Sequence, residues 1–196
     1  LMSGLYGPRH GVYTVGNSDR GQAKYRKLIP IKNTTELAGG FVTMAETLKS
    51  AGYVTATMGK WHLGADPTTQ GFDINIAGKH WGSPSGGGYH SPYNYPNLVT
   101  KEKGEYLTDR LGEEACKFIE TNKDKPFFLY LTHYAVHTPI QSKPELKAKY
   151  QKKPTVGGHK NAAYAGMIES MDDSIGAVQA TLKRLKLEDN TIVIFF

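Results

Sequence analysis

Apolar and polar positions change their period several times along this chain, and each change marks an element. Residues 1–40 are rich in Gly, Pro and Tyr with little periodicity, which predicts mostly loop. Met44, Leu48 and Ala51 then fall at helical spacing behind Thr43 and Glu46, which pair as a capping box, and Gly52 stops that helix. Tyr53 to Met58 is rich in β-formers and predicts a strand. Residues 64–104 are irregular, with Gly86-Gly87-Gly88 and several Pro and Tyr residues. A loop of that length in a compact domain is more often functional than idle. Leu107, Leu111, Ala115, Phe118 and Ile119 share one face of a helix over 105–121. Pro126 introduces Phe127 to Thr132, a strand of the buried type. From near Asn161 a long helix carries Tyr164, Met167, Ile168, Met171, Ile175, Val178, Leu182 and Leu185 as a core-facing stripe. A last strand begins at Thr191. Helices alternating with apolar strands predict one α/β domain over 1–196, a mainly parallel sheet with helices on both faces.

Composition adds little to this picture but narrows the partners. The 196 residues are 39% hydrophobic and 21% charged, ordinary for a globular domain. No window approaches the unbroken apolar length of a membrane span. The formal charge of +6 favours an anionic partner, and sulfated or phosphorylated substrates rank above nucleic acid, for which no binding motif is present. The basic residues are scattered apart from Lys143 to Lys153, which read as a solvated helix and loop. The single cysteine, Cys116, lies in the 105–121 helix and reads as a small core residue, so no internal disulfide forms. Leu1 and the apolar run ending at Phe196 read as cut ends, which predicts a fragment of a longer protein.

Candidate chemistry starts at residues 52 to 64, Gly-Tyr-Val-Thr-Ala-Thr-Met-Gly-Lys-Trp-His-Leu-Gly. A strand runs into a glycine turn that presents Lys60 and His62 at the carboxyl end, where open α/β sheets bind ligands. Lysine offers a fixed cation, and histidine can move a proton near neutral pH. On spacing alone, a lysine lying along a strand end and a histidine donating to a carbonyl account for the pair equally well. Trp61 reads as packing. His133 and His137 follow the second strand in Thr132-His133-Tyr134-Ala135-Val136-His137-Thr138-Pro139, again at a carboxyl edge. His80, Ser83, Ser85 and His90 are polar positions in the glycine-rich insert, and a flexible surface loop explains them as well as substrate binding does. Asp109 and Arg110 read as helix-start residues. Asp172 and Asp173 are adjacent on a helix, about 100° apart, and read as surface positions rather than metal ligands.

The run from Gly52 to Gly64 closely resembles the second signature of the formylglycine-dependent sulfatases (type I, arylsulfatase-like), members of the alkaline phosphatase superfamily. Leu1-Met2-Ser3-Gly4-Leu5-Tyr6-Gly7-Pro8-Arg9-His10-Gly11-Val12 is similar to the stretch that follows the family's Cys-x-Pro-Ser-Arg. Glu169 to Gly176 and Leu187 to Phe195 are similar to its long helix and following strand. The resemblance spans the chain and implies an alkaline-phosphatase-like but incomplete sheet, a truncated part of the N-terminal catalytic domain. It implies that Lys60 binds a sulfate oxygen, that His62 orients the nucleophile or the sulfate, and that His137 protonates the leaving alcohol. His133 is then a neighbour or a loop histidine, and Arg9 a structural residue. His80 and Ser83 are the substrate-binding candidates. Residues 71–106 resemble enzymes acting on sulfated carbohydrates.

The family cleaves sulfate monoesters with a formylglycine hydrate bound to calcium, which takes oxygen ligands. Here the nucleophile, the aspartate pair of an earlier strand, the Asp-Asn pair and a second lysine all fall outside residues 1–196, so no metal ligand is assigned within the chain. The resemblance therefore implies a sulfuric ester hydrolase whose present segment is inactive alone. It also implies export to the periplasm or beyond the cell, and association with the rest of the parent chain or with itself. A phosphodiesterase or phosphonate hydrolase of the same superfamily, or a catalytically dead glycan-binding homologue, carries the same residues.

Overall fold

The computed structural model describes residues 1–17, 19–84 and 88–196, so the candidate Ser85 lies outside the described residues. Three parallel strands form the sheet, β1 (Val54–Gly59), β2 (Ile74–Ile76) and β3 (Phe127–Thr132), in the order β2-β1-β3. Val54 pairs with Phe127 and Gly59 with Thr132, so β1 and β3 finish level. The Lys60 amide then donates to the Thr132 carbonyl at 2.7 Å, closing the two carboxyl ends together.

Strand alternation divides the core. Ala56, Met58, Leu129 and Leu131 face α3 (Leu107–Thr121) and α5 (Ala162–Arg184), while Phe128 and Tyr130 face Trp61, Phe72 and Ala45 of α2 (Met44–Ser50). Helices therefore cover both faces, as the alternating pattern requires. The capping box at Thr43 and Glu46 is present in both directions, at 3.1 and 2.7 Å, and Gly52 takes φ 87° beyond the helix. Two short helices complete the set, α1 (Gly7–His10) and the solvated α4 (Pro144–Gln151), which buries no residue.

Several expectations are corrected. The 64–104 stretch is not all loop, because Ile74–Ile76 adds β2 to the edge of β1; three residues are too few to show a period of two. Arg110 lies in the first turn of α3, as expected, but does not act as a cap. It is buried, and a buried cation demands partners, so it binds Glu105 at 3.0 Å, Glu114 at 2.9 Å and the Val99 carbonyl at 3.1 Å. Asp109 instead receives Lys143 at 2.8 Å, and no side chain caps α3.

The stripe on α5 also divides. Met167 and Leu182 are buried, but Tyr164 and Ile168 are largely exposed, and Gly166, Ser170 and Ser174 lie inside instead. The cause is close approach to α3: a Cβ on Gly112 would sit 3.0 Å from Ser174 Cβ, so small residues occupy that contact. Thr191–Phe196 pairs with no strand among the described residues, and Ile192 to Phe196 stand exposed. A single extended segment has no ladder partner of its own. Cys116 is half-buried on α3 rather than a core residue.

Candidate active site at the carboxyl ends of β1 and β3

Gly59 ends β1 with φ 108°, and a Cβ there would collide with the Thr132 carbonyl, 2.7 Å from its carbon, so only glycine fits. The chain then turns sharply. His62 takes φ 59°, a left-handed conformation uncommon outside glycine, and Gly64 follows at φ 143°. The His62 amide donates to the Lys79 carbonyl at 2.9 Å, which pins the turn to the loop after β2. Trp61 is buried edge-on to Phe72 at 5.7 Å, the packing role expected of it.

This turn sends Lys60 and His62 to one rim. The Lys60 ammonium has no acceptor among the described residues, and partial burial lowers its pKa. The His62 imidazole lies over Gly82, where a Cβ would overlap the ring and stand 2.8 Å from Nδ1. Its pKa is lowered first by burial and then by the positive charges of Lys60, His80 and His137. One imidazole thus feels all three groups, which places Lys60, His80 and His137 around His62. His62 is held neutral near pH 7, free to accept or donate a hydrogen bond.

His137 reaches the rim from β3. It is exposed, its Nδ1 lies 2.9 Å from the Thr138 carbonyl, and its amide donates to the Tyr134 carbonyl at 3.0 Å. The loop that carries it is anchored by two buried tyrosines. Tyr89 donates its hydroxyl to the carbonyls of Tyr134 and His137, and Tyr134 donates to the Ala77 carbonyl at 2.9 Å. Sequence reasoning passed over Tyr89, Tyr134 and Gly82, because a tyrosine in a glycine-rich insert, a tyrosine in a loop and one glycine among many carry no period.

The other candidates part company. His80 is exposed beside Trp81, 5.9 Å between rings, and belongs to the rim; Lys79 lies over the Trp81 ring at 4.6 Å. Ser83 is half-buried in the same loop. His90 is elsewhere, tilted against the Tyr106 ring at 5.0 Å. His133 turns inward to α5, its Nε2 3.1 Å from Ser174 Oγ and its Nδ1 buried without a partner. Burial pushes its pKa down to about 4. Arg9 is exposed at the end of α1, and Asp172 and Asp173 lie on the surface of α5.

Two surface clefts, of about 430 Å³ against Leu182 and Val193 and about 360 Å³ against Asn17 and Lys32, lie away from these groups. Among the described residues no three His, Cys, Asp or Glu side chains are placed to hold a metal ion. A rim of one ammonium and three imidazoles does not suit calcium, which prefers oxygen. It suits a tetrahedral oxyanion: a cation for charge, a neutral imidazole for hydrogen bonding, and a solvent-facing imidazole for proton transfer.

Comparison with known proteins gives the same class. A sulfatase from Formosa agariphila is 30% identical over the whole of this chain, which covers 46% of that protein. Human N-acetylgalactosamine-6-sulfatase is 30% identical, again over the whole chain and 38% of its own length. The crystal structure of Ps i-CgsB in complex with k-i-k-neocarrahexaose superposes with TM-score 0.71 at 26% identity, covering 97% of this chain and 44% of that one. The chain thus spans less than half the length of these relatives. With the Sulfatase family model matched over residues 1–196, this chain belongs to the sulfatase family.

Proposed function

We propose that the chain supplies the sulfate-binding and proton-handling rim of a sulfuric ester hydrolase acting on sulfated carbohydrates. The observation that carries this reading is the gathering of Lys60, His80 and His137 around the neutral His62 imidazole. Lys60 pairs with a non-bridging sulfate oxygen and offsets its charge. His62 hydrogen-bonds the sulfate or the incoming oxygen. His137, facing solvent on the Tyr89 anchor, gives a proton to the alcohol oxygen as its bond to sulfur breaks. His80 and Ser83 contact the sugar around the ester. The oxygen nucleophile, a formylglycine hydrate on calcium by family resemblance, comes from outside residues 1–196, and no step is assigned to it here.

A carbohydrate substrate is favoured by the relatives, since Ps i-CgsB was solved with a neocarrahexaose and the human relative is named for an N-acetylgalactosamine sulfate. The same reading makes residues 1–196 inactive alone. The test is sulfate release from a chromogenic aryl sulfate and from N-acetylgalactosamine 6-sulfate, by the parent protein and by this chain. Turnover by the parent that falls at least about a hundredfold in Lys60→Ala and His137→Ala supports the assignment. Turnover by residues 1–196, lost in Lys60→Ala, refutes the inactivity.

A further inference from the structure

One exposed loop of this chain carries basic residues and no acidic ones. Residues 20–32, Arg-Gly-Gln-Ala-Lys-Tyr-Arg-Lys-Leu-Ile-Pro-Ile-Lys, hold five Lys and Arg and no Asp or Glu. That +5 is nearly all of the net +6, because the other 19 basic residues almost balance 18 acidic ones. Lys143 to Lys153 is as dense in basic residues, with five Lys in eleven, but it includes Glu145, and Lys149 there is paired with Glu169.

The loop is closed and built. Thr34 donates its amide to the Gly11 carbonyl at 3.0 Å, and Asn33 Oδ1 accepts from Tyr13 N at 2.7 Å while Nδ2 donates to Thr14 O at 2.8 Å. At the apex Arg26 donates to the carbonyls of Arg20 and Gly21 at 3.1 and 3.0 Å and pairs with Asp19 at 3.0 Å. Arg26 is thereby used as scaffold. Lys24, Lys27 and Lys32 remain exposed, with no ion pair among the described residues. Leu28 and Ile29 stand exposed between them, and a cleft of about 360 Å³ lined by Asn17, Pro30, Lys32 and Asn33 opens near the base. Three unpaired ammoniums on a closed loop hold a strong positive potential over an uncharged, partly apolar surface.

We infer that the 20–32 loop is a secondary docking surface for a sulfated polysaccharide chain, apart from the Lys60–His62–His137 rim. The choice of a sulfated glycan rests on the proposed function. Single-stranded nucleic acid fits less well, since it needs open aromatic faces. The one aromatic in the loop, Tyr25, carries the Lys24 ammonium 4.8 Å above its ring.

Retention on immobilised dextran sulfate across a salt series tests this, with the full chain and its parent. Lys24→Ser, Lys27→Ser and Lys32→Ser together should weaken binding about tenfold at low salt and flatten the salt dependence. A control with the same charge change on and just after α4, Lys147→Ser, Lys152→Ser and Lys153→Ser, should stay within about twofold. The circular dichroism of both triples should match the parent sequence. Equal losses in the two triples would reduce the effect to net charge and overturn the proposal. So would loop-dependent binding that is tighter to poly(dT) or to anionic phosphatidylserine vesicles than to dextran sulfate. If the parent releases no sulfate while loop-dependent retention persists, the catalytic reading falls and the docking surface stands.

Discussion

Tyr89 donates its hydroxyl to the His137 carbonyl at 3.0 Å, and to the Tyr134 carbonyl at 2.7 Å, from a fully buried position 48 residues upstream of His137. The rim is thus assembled by a hydrogen bond between the glycine-rich insert and the loop after β3. Tyr89→Phe leaves two carbonyls without this donor and should lower stability by about 1–3 kcal/mol in urea unfolding. Amide exchange at His137 should quicken at the same time. Unchanged exchange would mean the loop holds its shape without the phenol.

Gly82 gives room for the His62 ring. In Gly82→Ala the added methyl overlaps that ring, which is the free end of a side chain and can swing away. The fold should survive with a melting temperature close to the original, while the His62 ring resonances move and its titration changes. A titration curve identical to the original would show that the ring does not rest on Gly82.

Lys60 and His62 are coupled through charge. After burial, the Lys60 ammonium heads the charges that lower the His62 pKa. Lys60→Met removes that repulsion of the imidazolium, so the His62 pKa should rise in an NMR titration. It should remain below the ordinary imidazole range, because burial and the charges of His80 and His137 persist. A fall, or no movement, would place the ammonium away from the ring.

His133 contributes to acid stability. Its folded pKa of about 4 lies below the ordinary 6.5, so the unfolded chain binds a proton that the folded chain refuses. This contribution is fully present above pH 6.5 and is lost as pH falls towards 4. The loss amounts to about 3 kcal/mol, at 1.36 kcal/mol per pH unit of difference. Urea midpoints measured from pH 7 to 4 should slope accordingly, and His133→Gln should flatten that slope. Equal slopes in the two proteins would show that His133 titrates normally.

Much of this protein was determined by its sequence. Thr43 with Glu46 starts α2, Gly52 stops it, and Phe127–Thr132 forms a strand, because capping, left-handed turns and β-propensity act over a few residues; the expected burial of that strand is only partial, since it lies at the edge of the described sheet. The run from Gly52 to Gly64 likewise carried Lys60 and His62 within one turn. Other features were settled only by contacts distant in the chain. Ile74–Ile76 became a strand because β1 offered an edge, and Arg110 became a buried clamp because Glu105 and Glu114 enclosed it. Ser174 moved inside because α3 came close at Gly112, and His137 joined His62 because Tyr89 and Tyr134 tied their loop down. His133 and His137 are four residues apart on the same polar loop, yet one turns inward against Ser174 of α5 and the other faces solvent. Local pattern cannot separate them, since burial is a property of what packs against a residue rather than of the residue itself.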